Sequence, residues 1–186
     1  MRFDSEELLP IGTPLIFADG TEFYNKLKEE YIQHNKGLYI WAPSGAGKSH
    51  FTENQTEPHW IDGDVLWELS NAHPRGEWWK EPLEYCDEVD AQSDIITMHA
   101  KKLGFWIVGA SCFWLPPDAS VVPDWDTHVS WIKKREEGNY TGGAKSDEKA
   151  LKQVQGHIAW ITKKFPGVPK FKSMQEATKY LEAKAS

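Results

Sequence analysis

The sequence predicts an α/β protein: a parallel five-stranded sheet as the middle layer, with helices on both faces. Three observations lead there. Short apolar runs without alternation, Leu38-Tyr39-Ile40-Trp41 and Phe105-Trp106-Ile107-Val108, read as strands buried on both sides. Segments with apolar residues at steps of three and four alternate with them, as crossover helices between parallel strands must. A loop of small residues, Ala42 to Ser49, joins the first such strand to the helix behind it. The 186 residues fit one domain with a real core, divided here into an extension with one helix (1–37) and the main domain (38–186).

The elements follow in order. Residues 1–20 are punctuated by Pro and Gly and irregular. Thr21 can cap a helix carrying Phe23, Leu27 and Tyr31, stopped by Asn35-Lys36-Gly37. After the strand 38–41 and the Gly-rich turn, a short helix is expected over about 47–55. His59-Trp60-Ile61-Asp62 reads as the second strand. Residues 63–86 show no clear period, because Pro74, Gly76 and Pro82 interrupt it. A helix is expected from Asp87 to Leu103, with Val89, Ile96, Ala100 and Leu103 on one face, before the third strand, 105–108. Ala119 to Val122 is the fourth strand. Thr127 can cap a helix to Glu137 that turns Val129 and Ile132 inward. The Gly-rich run 138–144 then reads as a mobile loop. Ser146 is expected to cap an amphipathic helix, with Leu151, Val154, Ile158, Ile161 and Phe165 in register. Val168 to Phe171 is the fifth strand, and Met174 to Lys184 a closing helix.

Composition narrows the function classes. With 40% hydrophobic and 26% charged residues the chain is globular. A net charge of −7 argues against a protein that holds nucleic acid by charge alone. Cys86 and Cys112, the only cysteines, form neither a disulfide framework nor a zinc cluster, and are expected in or near the core in a reducing compartment. The acidic start, Met1 to Glu7, is no signal peptide, and the longest apolar stretch, 105–115, is too short to span a bilayer. A cytoplasmic protein without a membrane partner is expected. Ten tryptophans are far more than a chain of this size usually carries. Trp41, Trp60, Trp106, Trp131 and Trp160 fall on expected strands and helices and read as core.

Ala42-Pro43-Ser44-Gly45-Ala46-Gly47-Lys48-Ser49 fits the Walker A pattern with Ala in place of the first Gly. Small residues let backbone N–H groups turn inward around a polyphosphate. Lys48 then reaches the β- and γ-phosphates, and the Ser49 hydroxyl joins a Mg²⁺ shell. A nucleoside triphosphate, ATP, is the expected cofactor, carried with Mg²⁺. The seven histidines show no paired ligand spacing, so no other metal is expected, and His128 and His157 read as polar rim residues.

Trp60-Ile61-Asp62-Gly63-Asp64 ends the first strand after that loop. If the chain stays extended, the two carboxylates point the same way, one to magnesium and one to the proton of an attacking hydroxyl. Asp-Gly-Asp also suits a solvated turn, but its place at the end of the first strand after the loop favours the catalytic reading. Arginine is rare, with only Arg2, Arg75 and Arg135 among the 21 basic side chains. Arg75 falls in the acceptor region, about 63–86, which also carries Trp67, Trp78, Trp79 and Tyr85. Arg135 precedes a lid of about 136–146. Those tryptophans suggest a flat ring as acceptor, and Trp114 and Trp125 fall after strands three and four, at the edge where open α/β sheets bind ligands.

The order of these parts resembles the P-loop kinases of the nucleoside-monophosphate, thymidylate and shikimate kinase group, on the residues 42–49 and Ile61 to Asp64. The resemblance covers residues 38–184 and implies the three-layer P-loop kinase fold with strand order 2-3-1-4-5. The Asp-Gly-Asp form is similar to kinases that phosphorylate a hydroxyl, such as gluconate and adenylylsulfate kinases, which implies Asp62 near the metal, Asp64 at the acceptor hydroxyl and Arg135 in the lid. By likeness to small bacteriophage kinases, the acceptor implied is 5-hydroxymethyl-deoxyuridine in phage DNA, in the host cytoplasm, on the way to further base modification. A deoxynucleoside-monophosphate kinase and a gluconate-like metabolite kinase stand as alternatives, and a nucleotide-binding switch as the non-enzymatic one.

Overall fold

The computed structural model describes residues 22–74, 76–138 and 143–185. Thr21 lies outside them. Among the described residues the elements run α1 (Glu22–Glu30), β1 (Leu38–Trp41), α2 (Lys48–Glu53), β2 (Trp60–Asp62), α3 (Gly63–Leu69), α4 (Leu83–Lys102), β3 (Trp106–Gly109), β4 (Ala119–Val121), α5 (Trp125–Glu137), α6 (Glu148–Lys164), β5 (Lys170–Phe171) and α7 (Met174–Ala185), with a 3-10 turn at Trp78–Lys80. The strands form one parallel five-stranded sheet in the order β2-β3-β1-β4-β5, the order the sequence implied.

Buried strands of a parallel sheet need no polar face, and every residue of β1 and of β3 is buried. The edge strand β5 is two residues long with Lys170 exposed, a usual way to blunt an edge. Ile40 pairs with Ala119 and Trp41 with Ser120 across β1 and β4, and Ser120 with Lys170 across β4 and β5.

The chain divides into two compact units. The first holds the residues up to Leu38, Thr56–Ile107 and Ser111–Leu115. There His34 stacks flat on Trp106 at 3.5 Å, and the Trp106 indole N–H donates to the Lys36 carbonyl at 2.8 Å. Asp94 accepts from the amides of Phe113, Trp114 and Leu115 at 2.9, 2.6 and 2.9 Å, which closes the turn after β3. The second unit holds Tyr39–Gln55, Val108–Ala110 and the chain from Pro116 onward. In it Tyr39 and Asp118 exchange hydrogen bonds, the Tyr39 amide to the Asp118 carboxylate at 2.8 Å and the Asp118 amide to the Tyr39 carbonyl at 2.7 Å.

Several boundaries differ from those expected. Helix α4 starts at Leu83 rather than Asp87, with Pro82 as its N-cap, since proline fixes φ for the entry but cannot continue a helix. Helix α5 starts at Trp125, with Asp124 rather than Thr127 at the N-cap position and its carboxylate turned to Lys172 instead of the helix amides. Asp147, not Ser146, caps α6 by accepting from the Ala150 amide, while Ser146 turns its hydroxyl to Glu136. The unreadable segment 63–86 contains the helix α3. Cys112 is buried as expected and Cys86 half-buried, both free thiols. Trp131 and Trp160, expected in the core, are 37% and 39% exposed: their helices turn them outward, and Lys164 covers the Trp160 ring at 4.7 Å.

Two glycines predict opposite outcomes. Gly104 has φ +89°, and a Cβ there would come within 1.9 Å of the His34 carbonyl oxygen. Gly104→Ala should destabilise by more than about 1 kcal/mol. Gly156 lies inside α6 with open space around its missing Cβ, so Gly156→Ala should stabilise by about 0.5–1 kcal/mol. Urea denaturation of the two variants checks both signs.

Candidate functional site

The candidate phosphate loop, 42–49, belongs to the second unit. Strand β1 ends at Trp41, and the Ala42 amide still bonds to the Gly109 carbonyl at 2.9 Å. Beyond it the loop curls. The Ala46 amide bonds back to Pro43 at 3.1 Å, and Gly45 and Gly47 take φ of +81° and +91°, which side chains rarely adopt. A Cβ on Gly45 would strike Ile132 of α5 at 2.4 Å, so glycine is required there twice over. Among the described residues the amides of Gly45 and Gly47 make no hydrogen bond. Lys48 opens α2, is only 9% exposed, and pairs with no carboxylate among the described residues. A buried ammonium without a counterion favours an anion beside it. Loop amides, Lys48 and the half-buried Ser49 therefore fit a polyphosphate with its magnesium.

Ser44 is the joint of this loop. Its carbonyl accepts from His128 Nε2 of α5 at 2.8 Å, and its hydroxyl accepts from the Ala144 amide at 2.8 Å. Arg135 donates to the Ala144 carbonyl at 3.2 Å, and its guanidinium lies where a Cβ on Gly143 would be. Arg135 thus anchors Gly143 and Ala144 within the expected lid (136–146), of which residues 139–142 lie outside those described. His128, expected at the rim, is fully buried, because its ring fills the space between α5 and the loop, and its Nδ1 has no partner among the described residues. Burial lowers its pKa, and Lys48 and Arg135 add to that. His157 of α6 stands edge-on to Trp41 at 5.2 Å, and burial with the nearby Lys48 lowers its pKa to about 4. Two neutral imidazoles therefore share the surroundings of Lys48.

The acidic pair belongs to the first unit, and its geometry differs from the expected one. The chain does not stay extended: β2 ends at Asp62 and α3 begins at Gly63, so Asp62 serves as N-cap and accepts from the Asp64 amide at 3.0 Å. Asp64 is exposed in the first turn of α3. Gly63 leaves room for the Trp67 ring, 2.6 Å from where its Cβ would lie. The expected acceptor aromatics divide. Trp67 is a core residue, 0% exposed, with its indole N–H on Thr97 Oγ1 at 2.9 Å, so it offers no surface to an acceptor. Trp78 is half-buried and Trp79 exposed, in T-shaped contact at 6.0 Å. Lys80 is engaged by Glu77, and Arg75 lies outside the described residues.

Sequence reasoning missed a cluster in the same unit. His73 Nε2 lies 2.7 Å from Ser111 Oγ, and Ser111 also bonds the carboxyl of Asp90. Burial lowers the His73 pKa to about 3 and pushes Asp90 up to about 8, against the opposing hydrogen bond from Ser111. The three stand 73, 90 and 111 in the chain, with no motif linking them. The one available signal was a polar Ser two residues past the apolar third strand.

No family model, curated protein or solved structure matches this chain. Among the described residues no group of three or more His, Cys, Asp or Glu is placed to hold a metal ion, and no helix is long and apolar enough to cross a membrane.

His73 makes acid stability testable. Its folded pKa is about 3 against 6.5 unfolded, so between those values this side chain takes up a proton only in the unfolded chain and its own contribution to stability falls as pH drops, while Asp90, raised to about 8, works in the opposite direction. The loss should approach about 1.4 kcal/mol per pH unit below the usual histidine value. His73→Gln should cost stability at pH 7 yet show a shallower decline from pH 6 to 4. Denaturation midpoints of both proteins across that range decide it.

Proposed function

We propose that the chain is an ATP- and magnesium-dependent phosphotransferase of the P-loop kinase type, acting on a hydroxyl of a nucleoside-like acceptor. The observation that carries this is the loop Ala42–Ser49: two left-handed glycines with unbonded amides lead from β1 into a buried Lys48 that has no carboxylate partner among the described residues. The parallel sheet in the order β2-β3-β1-β4-β5, with that loop after the central strand, supports the same class.

In this function the loop amides and Lys48 bind the triphosphate and draw negative charge onto the β–γ bridging oxygen. Ser49 is the residue of this loop to hold Mg²⁺, which would screen the phosphate charge when bound. The acceptor hydroxyl oxygen attacks the γ-phosphorus, the bond to the bridging oxygen breaks, and ADP leaves. Asp64 takes the hydroxyl proton. Its exposure in the first turn of α3 leaves it open to an incoming hydroxyl. Arg135 and Ser44 tie Ala144 to the loop, which holds the chain around the triphosphate in place. Trp78 and Trp79 offer flat surfaces for the acceptor ring. The specific acceptor proposed is a hydroxymethylpyrimidine such as 5-hydroxymethyl-deoxyuridine, free or flipped out of DNA in the cytoplasm.

Labelled γ-phosphate transfer tests this directly on nucleosides, deoxynucleoside monophosphates, polyols and oligonucleotides bearing hydroxymethylpyrimidine. Lys48→Ala should abolish ATP binding and transfer. Asp64→Asn should leave ATP affinity within about twofold and lower transfer about 10²–10⁴-fold. Full transfer by Asp64→Asn removes the base assignment, and label on monophosphates alone removes the hydroxyl acceptor.

A further inference from the structure

The first unit contains a hydrogen-bonded chain of polar side chains that the phosphate chemistry leaves unused. His73, in the segment after α3, and Ser111, after β3, are buried at 6% and 4% exposure and lie 2.7 Å apart. Ser111 bonds onward to Asp90 of α4, which is half-buried and forms the outward end. One arrangement satisfies all three groups without a net charge. His73 Nε2–H donates to Ser111, the Ser111 hydroxyl donates to the Asp90 carbonyl oxygen, and the protonated Asp90 hydroxyl faces outward. A carboxylic acid so held presents a donor and, through the second lone pair of its carbonyl oxygen, an acceptor.

Two indoles contact the neighbouring parts of α4 and the His73 ring. Trp78 meets His73 edge-on at 4.8 Å and packs on Tyr85 and Val89 of α4. Trp114 donates its indole N–H to the Ala91 carbonyl at 3.2 Å and is 39% exposed. The residues on either side of Asp90 are thus contacted by two different indoles.

We propose that Asp90, oriented by Ser111 and His73, is the recognition group of an acceptor site that takes an uncharged planar heterocycle with adjacent hydrogen-bond donor and acceptor, such as a pyrimidine nucleoside. Its role as acceptor site rests on the phosphotransferase function proposed above; its ability to bind the ring does not. Burial, with Asp94 and Asp87 of the same helix adding to it, keeps the Asp90 proton on until about pH 8. The other titratable groups facing it hold one state across neutral pH: His73 is neutral, and Cys86, pushed up to about 11, stays a thiol. Between pH 7 and 9, Asp90 is the group in this cluster that changes charge, and its outward donor is lost.

Calorimetric titration of the full chain with deoxycytidine, whose ring stays neutral from pH 7 to 9, tests this without ATP. Protonated Asp90 falls about tenfold over that range, so affinity should fall about tenfold. Asp90→Asn keeps a donor and an acceptor but cannot ionise, and should bind within about twofold equally at both pH values. Ser111→Ala should weaken binding about tenfold at pH 7, and ring-less deoxyribose should not bind. Thermal melts show whether each variant is folded; should Asp90→Asn fail to fold, the wild-type pH profile and Ser111→Ala decide. Absence of binding by both deoxycytidine and deoxyuridine at pH 7 overturns the site. So does equal affinity at pH 7 and 9, or a wild-type pH slope in Asp90→Asn. The titration is repeated in Lys48→Ala. Ring binding in a chain that never transfers phosphate leaves this site standing and removes the kinase, whereas transfer without pH-dependent ring binding does the reverse.

Discussion

The hydrogen bond from the Ala42 amide to the Gly109 carbonyl is the last one that holds the central strand in the sheet. Up to it, β1 is fully buried, and its backbone groups are engaged by strands on either side. Past it, the backbone must find other partners or keep its amides for a ligand. The loop does some of each. Pro43 takes the Ala46 amide, Ser44 takes His128 and Ala144, and the amides of Gly45 and Gly47 stay unbonded among the described residues. Where β1 stops thus sets where the candidate phosphate site begins.

Each unit solves the problem of buried polar groups differently. In the second, the buried cation Lys48 stands near two imidazoles, and both are kept neutral by burial and by Lys48 itself. The arrangement concentrates positive charge on one atom instead of spreading it over three. In the first, burial pushes an aspartate and a histidine in opposite directions, each toward its neutral form, with a serine hydroxyl between them. A charged pair there would need desolvation of two ions, whereas a neutral chain needs only its protons arranged. One interior holds a buried lysine with no carboxylate partner among the described residues, the other a neutral polar chain.

Helix starts show where local chemistry misleads. Ser146 has the right composition for an N-cap, yet its hydroxyl is taken by Glu136 and Asp147 caps the helix instead. Asp62 and Asp64 looked like a catalytic pair because extended residues two apart share a face. Once α3 starts at Gly63, the first caps the second. A local motif offers side chains to several partners, and only the fold decides which partner arrives.

By itself the sequence determined the parallel α/β sheet, because strands buried on both faces must be apolar throughout and their crossovers must be periodic. It also marked the small-residue loop 42–49, where Gly45 and Gly47 take left-handed turns that side chains rarely adopt. Tertiary structure alone decided which aromatic rings are exposed. Trp67 and Trp79 lie in the same unpatterned segment, one completely buried and the other 44% exposed. It alone brought His73, Asp90 and Ser111 into one hydrogen-bonded chain. Long-range contacts leave no period or spacing in a single sequence, since their partners are chosen by the packing of whole elements.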